Sequence, residues 1–408
     1  MSTVLFADIA TFRNGVNFLR TDHGTATKII GVGDFLQREV IESTSALGEV
    51  ILSRAPRPDD YLEPDDLLFV RSNGSKSLVG RCVVYRGAPL RATFSGFTIR
   101  ARITSEFMDA HYVAAAVRSP LFRDHLKRLG GGSSITNLSQ AALGKFELWA
   151  PALPEQRKIA DILGTWDDAI DALGVSAINK RVRRELLIDQ VVFPAGKPHG
   201  LSMDRVPSGW RVQQISDVAA EVSTRNRKLE ATVVLTCSKH RGFVRNTDYF
   251  DRSTQGSDLS DYKIIHRDQF GFPSNHVEEG SIGVQNVVDV GIVSPIYTVF
   301  EFGEQVDPQF AYLVLKTNSY RHMFEVSTSA SVARRGSLRW RDFAKLRFPV
   351  PPIGEQRAIV RAIASVDHEI ALLDRQIALL KQQKRGLMQK LLTGDIRVTV
   401  DPTEEVTR

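Results

Sequence analysis

The chain has 408 residues, 42% of them hydrophobic and 25% charged, with a formal net charge of +6. This is a globular composition with enough apolar material for more than one core. No apolar run reaches the roughly 18 residues a membrane span requires, and Met1-Ser2-Thr3-Val4 opens no basic-then-apolar leader, so a soluble cytoplasmic protein is expected. Cys82 and Cys237 are the only cysteines, one in each half, which excludes a disulfide framework and a cysteine-rich zinc site.

Residues 1–150 read as a mixed α/β domain. Its strand-like runs are Asp66 to Val70, Arg81 to Tyr85 and Phe97 to Ile103, each rich in β-branched or aromatic residues. Residues 151–200 then read as a long helix over about 154–193. Its apolar positions Ile159, Leu163, Trp166, Ile170, Leu173 and Ala177 keep a 4,3 spacing, which Lys180 and Arg184 interrupt before Leu187 and Val191 resume it. Residues 201–350 form a second α/β domain, with strands expected at Thr232 to Thr236 and Ile296 to Phe300. Residues 351–398 give a second long helix over about 354–393, with a cleaner seam through Ile359, Ile363, Val366, Ile370, Leu373, Ile377 and Leu380 to Leu387 and Leu391. Residues 399–408 are a tail.

The chain repeats itself. Pro151-Ala152-Leu153-Pro154-Glu155-Gln156-Arg157 returns as Pro351-Pro352-Ile353-Gly354-Glu355-Gln356-Arg357, 200 residues later and without a gap from about 137 to 194. A long period means one structural unit used twice. A weaker repeat joins the two α/β domains. Asp66 through Asn73 resembles Asp268 through Asn275, and Asp109 and Asp307 each open a helix-like stretch. Each domain then has a Gly/Ser-rich loop, Gly130 to Asn137 or Ser327 to Gly336, before Leu138 or Leu338.

This pattern resembles the specificity (S) subunit of type I restriction–modification enzymes. The resemblance is carried by the duplicated Pro-rich segment ending Glu-Gln-Arg before each long helix, by Val206-Pro207-Ser208-Gly209-Trp210, and by Asp66 to Gly74, Leu78 to Arg81 and Phe94 to Phe97. It covers nearly the whole chain; the first domain departs from it in lacking the Pro-Ser-Gly-Trp opening. It implies an α+β fold: two target-recognition domains, each followed by a long helix, the helices pairing as an antiparallel coiled coil with pseudo-twofold symmetry. It also implies that each domain reads one part of a split, asymmetric site in double-stranded DNA. The helices would act as spacer and as docking surface for two methyltransferase (M) subunits, with two restriction/translocase (R) subunits beyond them. S-adenosylmethionine, ATP and Mg²⁺ would belong to those partners, and no cofactor or metal to this chain.

Motifs for catalysis are missing from the sequence. There is no Asn/Asp-Pro-Pro-Tyr/Phe, and Phe272-Pro273-Ser274-Asn275 only echoes it. Gly31-Val32-Gly33 has no third glycine in register, Asn73 to Ser77 lacks the first glycine of a phosphate loop, and no His-Glu-x-x-His occurs. The acidic cluster Asp59, Asp60, Glu63, Asp65 and Asp66 reads as a solvated turn. A non-enzymatic recognition subunit is therefore expected; the alternative from another class is a scaffold binding protein or carbohydrate ligands.

DNA contact requires Arg or Lys for phosphates and guanine edges, and Asn or Gln for adenine. In the first domain the candidates are Arg71, Ser72, Asn73, Lys76, Arg81, Ser133, Ser134 and Asn137. In the second they are Lys239, Arg241, Arg245, Asn275, His276, Arg334, Arg335, Arg339 and Arg341, with the Arg334-Arg335 pair beside Gly336 foremost. Trp340 reads as core. Glu155, Gln156, Arg157, Glu355, Gln356 and Arg357 read as helix-start residues with subunit docking as a further role.

Overall fold

The computed structural model describes residues 3–18, 23–36, 39–88, 92–129, 137–193, 206–249, 258–275, 277–329 and 337–400. The chain forms two compact units, Met1–Gly174 together with Arg375–Arg408, and Val175–Asp374. The two cuts, after 174 and after 374, are again 200 residues apart. Each unit therefore holds one α/β domain, the first half of one long helix and the second half of the other.

In the first unit a five-stranded sheet runs in the order Ala10–Asn14, Thr98–Ile103, Leu67–Val70, Cys82–Tyr85, Val40–Ile41. The central strand Leu67–Val70 is buried at every residue, because the period of two sends alternate side chains to two different cores. Leu67 and Phe69 pack with Tyr112, Phe122 and the long helices; Leu68 and Val70 pack with Ile30, Phe35 and Phe94. The continuous apolar run in the sequence is thus a strand covered on both faces. Thr3–Leu5 pairs antiparallel with Glu147–Trp149, which fixes the N-terminal edge of a domain that has no Pro-Ser-Gly-Trp opening.

The second unit repeats this plan. Its sheet runs Ala219–Val222, Tyr297–Phe302, Phe270–Pro273, Gly283–Val284, and Arg211–Gln214 pairs with Arg347–Val350. The expected strand at Thr232 to Thr236 begins only at Leu235 and runs to Ser238; Val234 makes an isolated bridge to Ile292 instead. The structural register between the domains also differs by one from the sequence match. Leu138 N donates to Arg71 O, and Leu338 N to Ser274 O, both at 2.8 Å. Ser274 therefore corresponds to Arg71, and Asn275 to Ser72 rather than Asn73. Asp65 and Asp268, two residues before the central strand in each unit, share a left-handed backbone with φ of 67° and 65°.

The long helices are Leu153–Val192 and Ile353–Thr393. In each unit their halves run antiparallel: in the first, Asp167 meets Lys384 while Glu155 meets Arg397. The 4,3 seam is buried or half-buried at every position that the sequence marks. Lys180 and Arg184, which interrupt it, form ion pairs with Glu369 and Asp367 on the opposite helix. Gly394, with φ 76°, ends the second helix.

The Glu-Gln-Arg segments have an internal role. Gln156 and Gln356 are fully buried. Gln156 Nε2 donates to Pro151 O at 2.8 Å and Phe107 O at 2.9 Å, and its Oε1 accepts from Asp109 N at 2.9 Å. Gln356 repeats this with Pro351 O, Gln305 O and Asp307 N. Asp109 and Asp307 in turn cap the helices Ala110–Arg118 and Pro308–Leu315, and Arg157 and Arg357 approach them at 4.0 and 3.9 Å. Each amide thus ties the start of a long helix to the start of a domain helix. A docking role for Gln156 and Gln356 is corrected accordingly, since no polar atom of either reaches the surface. Glu155 is also buried and held by Arg397, whereas Glu355 is exposed.

Candidate nucleic-acid interface

In each unit the central strand ends at the same edge of the sheet, and the candidate residues of the first domain divide there into two groups. Arg71, Ser72 and Asn73 follow directly on Leu67–Val70. Arg71 N donates to Phe97 O at 2.8 Å, its Nη1 lies 3.5 Å from Gly96 O, and Ser72 forms an isolated antiparallel bridge with Asn137. Asn73 Oδ1 accepts from Ser75 N at 2.9 Å, closing an Asx turn. Arg71, Ser72 and Asn137 are thereby tied to the turn that carries Phe97, with Asn73 next along the chain.

Arg81 belongs elsewhere. It donates to Leu36 O at 3.3 Å and lines a cleft of about 1020 Å³ with Arg86, Arg118, Arg123, Lys127, Lys381 and Arg385. Asp167, Asp168 and Asp171 lie in the same cleft. Burial, and then the charges of Asp167, Glu39 and Asp168, push the Asp171 carboxyl above its ordinary range. Sequence reasoning missed this cluster, because its basic residues come from a hairpin, two short helices and a long helix.

In the second unit Asn275 stands half-buried beside Ser274, whose N–H donates to Ile296 O at 3.3 Å. Arg339 is exposed at the start of the short helix Trp340–Phe343. Arg341 is paired with its neighbour Asp342 at 3.1 Å, which lowers its value for a phosphate; Arg341 first, then Lys345, holds that carboxyl below its usual range. Trp340 packs on Phe300 and Phe343, with ring centroids 5.5 and 5.9 Å away, as a core residue would. Lys239, Arg241 and Arg245 form a separate exposed group on the hairpin Leu235–Ser238 and Gly242–Arg245. Ser133, Ser134, His276, Arg334, Arg335 and the side chain of Lys76 lie outside the described residues.

Among the described residues no group of three or more His, Cys, Asp or Glu could hold a metal ion, and no helix is long and apolar enough to cross a membrane. Cys82 and Cys237 are buried, and burial pushes each thiol up to about 12. The arrangement can offer hydrogen bonds, cations and apolar contacts at two related surfaces.

The family model of the type I restriction modification DNA specificity domain matches residues 107–181 and 207–382. The specificity subunit of the StySPI type I restriction enzyme of Salmonella potsdam is 29% identical over 131 residues, which cover 31% of this chain and 28% of that protein's length. The putative MjaX type I specificity subunit of Methanocaldococcus jannaschii is 22% identical over 352 residues, 82% of this chain and 79% of that one. A chain from a solved structure concerned with complex assembly and conformational transition of the type I R-M system matches with a TM-score of 0.62 at 14% identity, over 97% of this chain and 98% of the other. That last likeness is one of fold.

Proposed function

This chain belongs to the type I restriction–modification DNA specificity family, and from that premise we propose that it reads a bipartite, asymmetric DNA site, one part with each α/β domain. The observation that carries the reading is a scaffold repeated with different side chains at one place. The carbonyls of Arg71 and Ser274 accept the same hydrogen bond from Leu138 and Leu338, yet the residues presented around them differ. A conserved frame with unlike surfaces suits two unlike half-sites.

The chain itself performs no chemistry in this reading. It docks two methyltransferase subunits along the two long helices, and restriction/translocase subunits join through them. S-adenosylmethionine, ATP and Mg²⁺ are bound by those partners. With Gln156 and Gln356 buried, the exposed faces of the helices are the docking surface that remains.

Methylome sequencing of cells expressing the chain with its partner subunits tests the proposal. Replacing residues 1–150 by the corresponding part of a relative should change one half of the methylated site and leave the other intact. A change in both halves, or in neither, overturns it.

A further inference from the structure

Each unit holds a large apolar side chain out into solvent at the same position. Phe97 is 62% exposed and Ile296 is 45% exposed. Both sit third in a tight turn that begins with serine: Thr98 N donates to Ser95 O at 2.8 Å, and Tyr297 N to Ser294 O at 3.0 Å. Both carbonyls accept from the residue just after the central strand, Phe97 O from Arg71 N and Ile296 O from Ser274 N. The first turn is braced further. Phe97 N donates to Ser95 Oγ at 3.2 Å, Thr98 Oγ1 to Ser95 O at 2.6 Å and Gly96 N to Val16 O at 2.7 Å. A braced turn thus presents a phenyl ring or a sec-butyl group at the surface at the same place in both halves of a diverged repeat, and a partner that covers it with an apolar group gains the burial of that area.

The neighbours indicate what that is. Ser72, whose N–H lies 3.4 Å from Phe97 O, precedes Asn73 and bridges to Asn137, and Asn275 directly follows Ser274, whose N–H donates to Ile296 O. An Asn amide matches the N6 and N7 atoms of adenine in the major groove, and the paired thymine shows an oxygen and a 5-methyl group on the same edge. A carboxamide beside an apolar side chain is therefore complementary to a whole A·T pair. We propose that Phe97 and Ile296 are specificity-determining residues that contact a thymine 5-methyl group, one in each half-site. The proposal rests on the DNA-reading function given above and names the base that function recognises at two positions.

Deoxyuridine differs from thymidine only by that methyl group, so it serves as the probe. The full chain, co-expressed with methyltransferase subunits, is used to select its binding sequence from random duplexes, and each thymine is then replaced singly by deoxyuridine. Loss of the methyl should weaken wild-type binding about four-fold at one thymine in each half. Phe97→Ala should abolish that penalty in one half only and Ile296→Ala in the other only, while Phe97→Leu keeps it. Both residues are exposed, so the alanine variants should retain wild-type melting. A penalty unchanged by both alanine variants, or a half-site without an A·T pair, overturns the assignment while leaving sequence-selective binding intact. Wild-type protein that selects no sequence overturns the DNA-reading function itself.

Discussion

Lys384 and Asp167 form an ion pair between the two long helices within the first unit, and their counterparts 200 residues away, Arg184 and Asp367, form the same pair in the second with the basic and acidic partners on exchanged helices. The repeat therefore conserves a cross-helix contact and its charge polarity, although one cation is lysine and the other arginine. The second unit adds Lys180 with Glu369 and Arg181 with Asp374; the first has Leu380 with Ala169 and Lys381 with Gly174 at the corresponding numbers, so neither ion pair can be repeated there.

These pairs should fix register more than stability. Lys384 is mostly covered and Asp167 is partly exposed, with side-chain exposures of 13% and 40%. A double-mutant cycle of Lys384→Met and Asp167→Asn should give a coupling of about 0.5–1 kcal/mol by chemical denaturation. A coupling near zero would show that the pair is incidental.

The buried amides should be far more sensitive. Gln156→Ala leaves the Asp109 N–H and two carbonyls without partners in a dry environment, which costs about 2–4 kcal/mol by the usual penalty for orphaned polar groups. Gln356→Ala should cost a similar amount in its own unit. Denaturant titration of each variant checks this, and melting within about 1 °C of wild type would contradict it.

The Glu155–Arg397 contact predicts a pH dependence. The Arg397 hydrogen bond, helped by Val398 N, outweighs burial and holds the Glu155 carboxyl below its ordinary range. A depressed carboxylate stabilises the fold above the unfolded value of about 4.3, and that contribution fades as pH falls through the folded value. The melting difference between wild type and Glu155→Gln should be full above about pH 5.5 and shrink steadily toward pH 3. An equal difference at all pH values would remove the carboxylate from the account.

The two thiols report on the two units. With both pushed up to about 12 and both buried, neither Cys82 nor Cys237 should react with a maleimide at pH 7.5 in the folded protein. Under rising denaturant each should label when its own unit opens, and peptide mapping separates the two. Rapid labelling of either in native buffer would contradict its burial.

Arg334 and Arg335 stand in the Gly/Ser-rich stretch Ser327 to Gly336 of the second domain. The double variant Arg334→Ala with Arg335→Ala should weaken specific DNA binding by about 1–3 kcal/mol if either reads a base, and leave assembly with methyltransferase unchanged. Uniform weakening across all sequences, with a shallower salt slope, would assign the pair to phosphates instead.

The sequence by itself determined the repeat, the two long helices, their seam and the mixed character of the domains. Those features rest on local periodicity: a 4,3 spacing marks a helix stripe wherever the partner lies, and a doubly covered strand such as Leu67–Val70 shows as an unbroken apolar run. Only the tertiary structure decided what depends on residues far apart in the chain. Gln156 looked like a polar helix start, and its burial is set by Phe107 and Asp109, nearly fifty positions earlier. Lys180 and Arg184 looked like breaks in a seam until Glu369 and Asp367 were placed opposite them. The basic cleft around Arg118 and Arg123 has no linear signature. Phe97 and Ile296 open strand-like runs in the sequence; a turn closed by a serine carbonyl points them outward, and no alternation of apolar and polar residues records which way a turn faces.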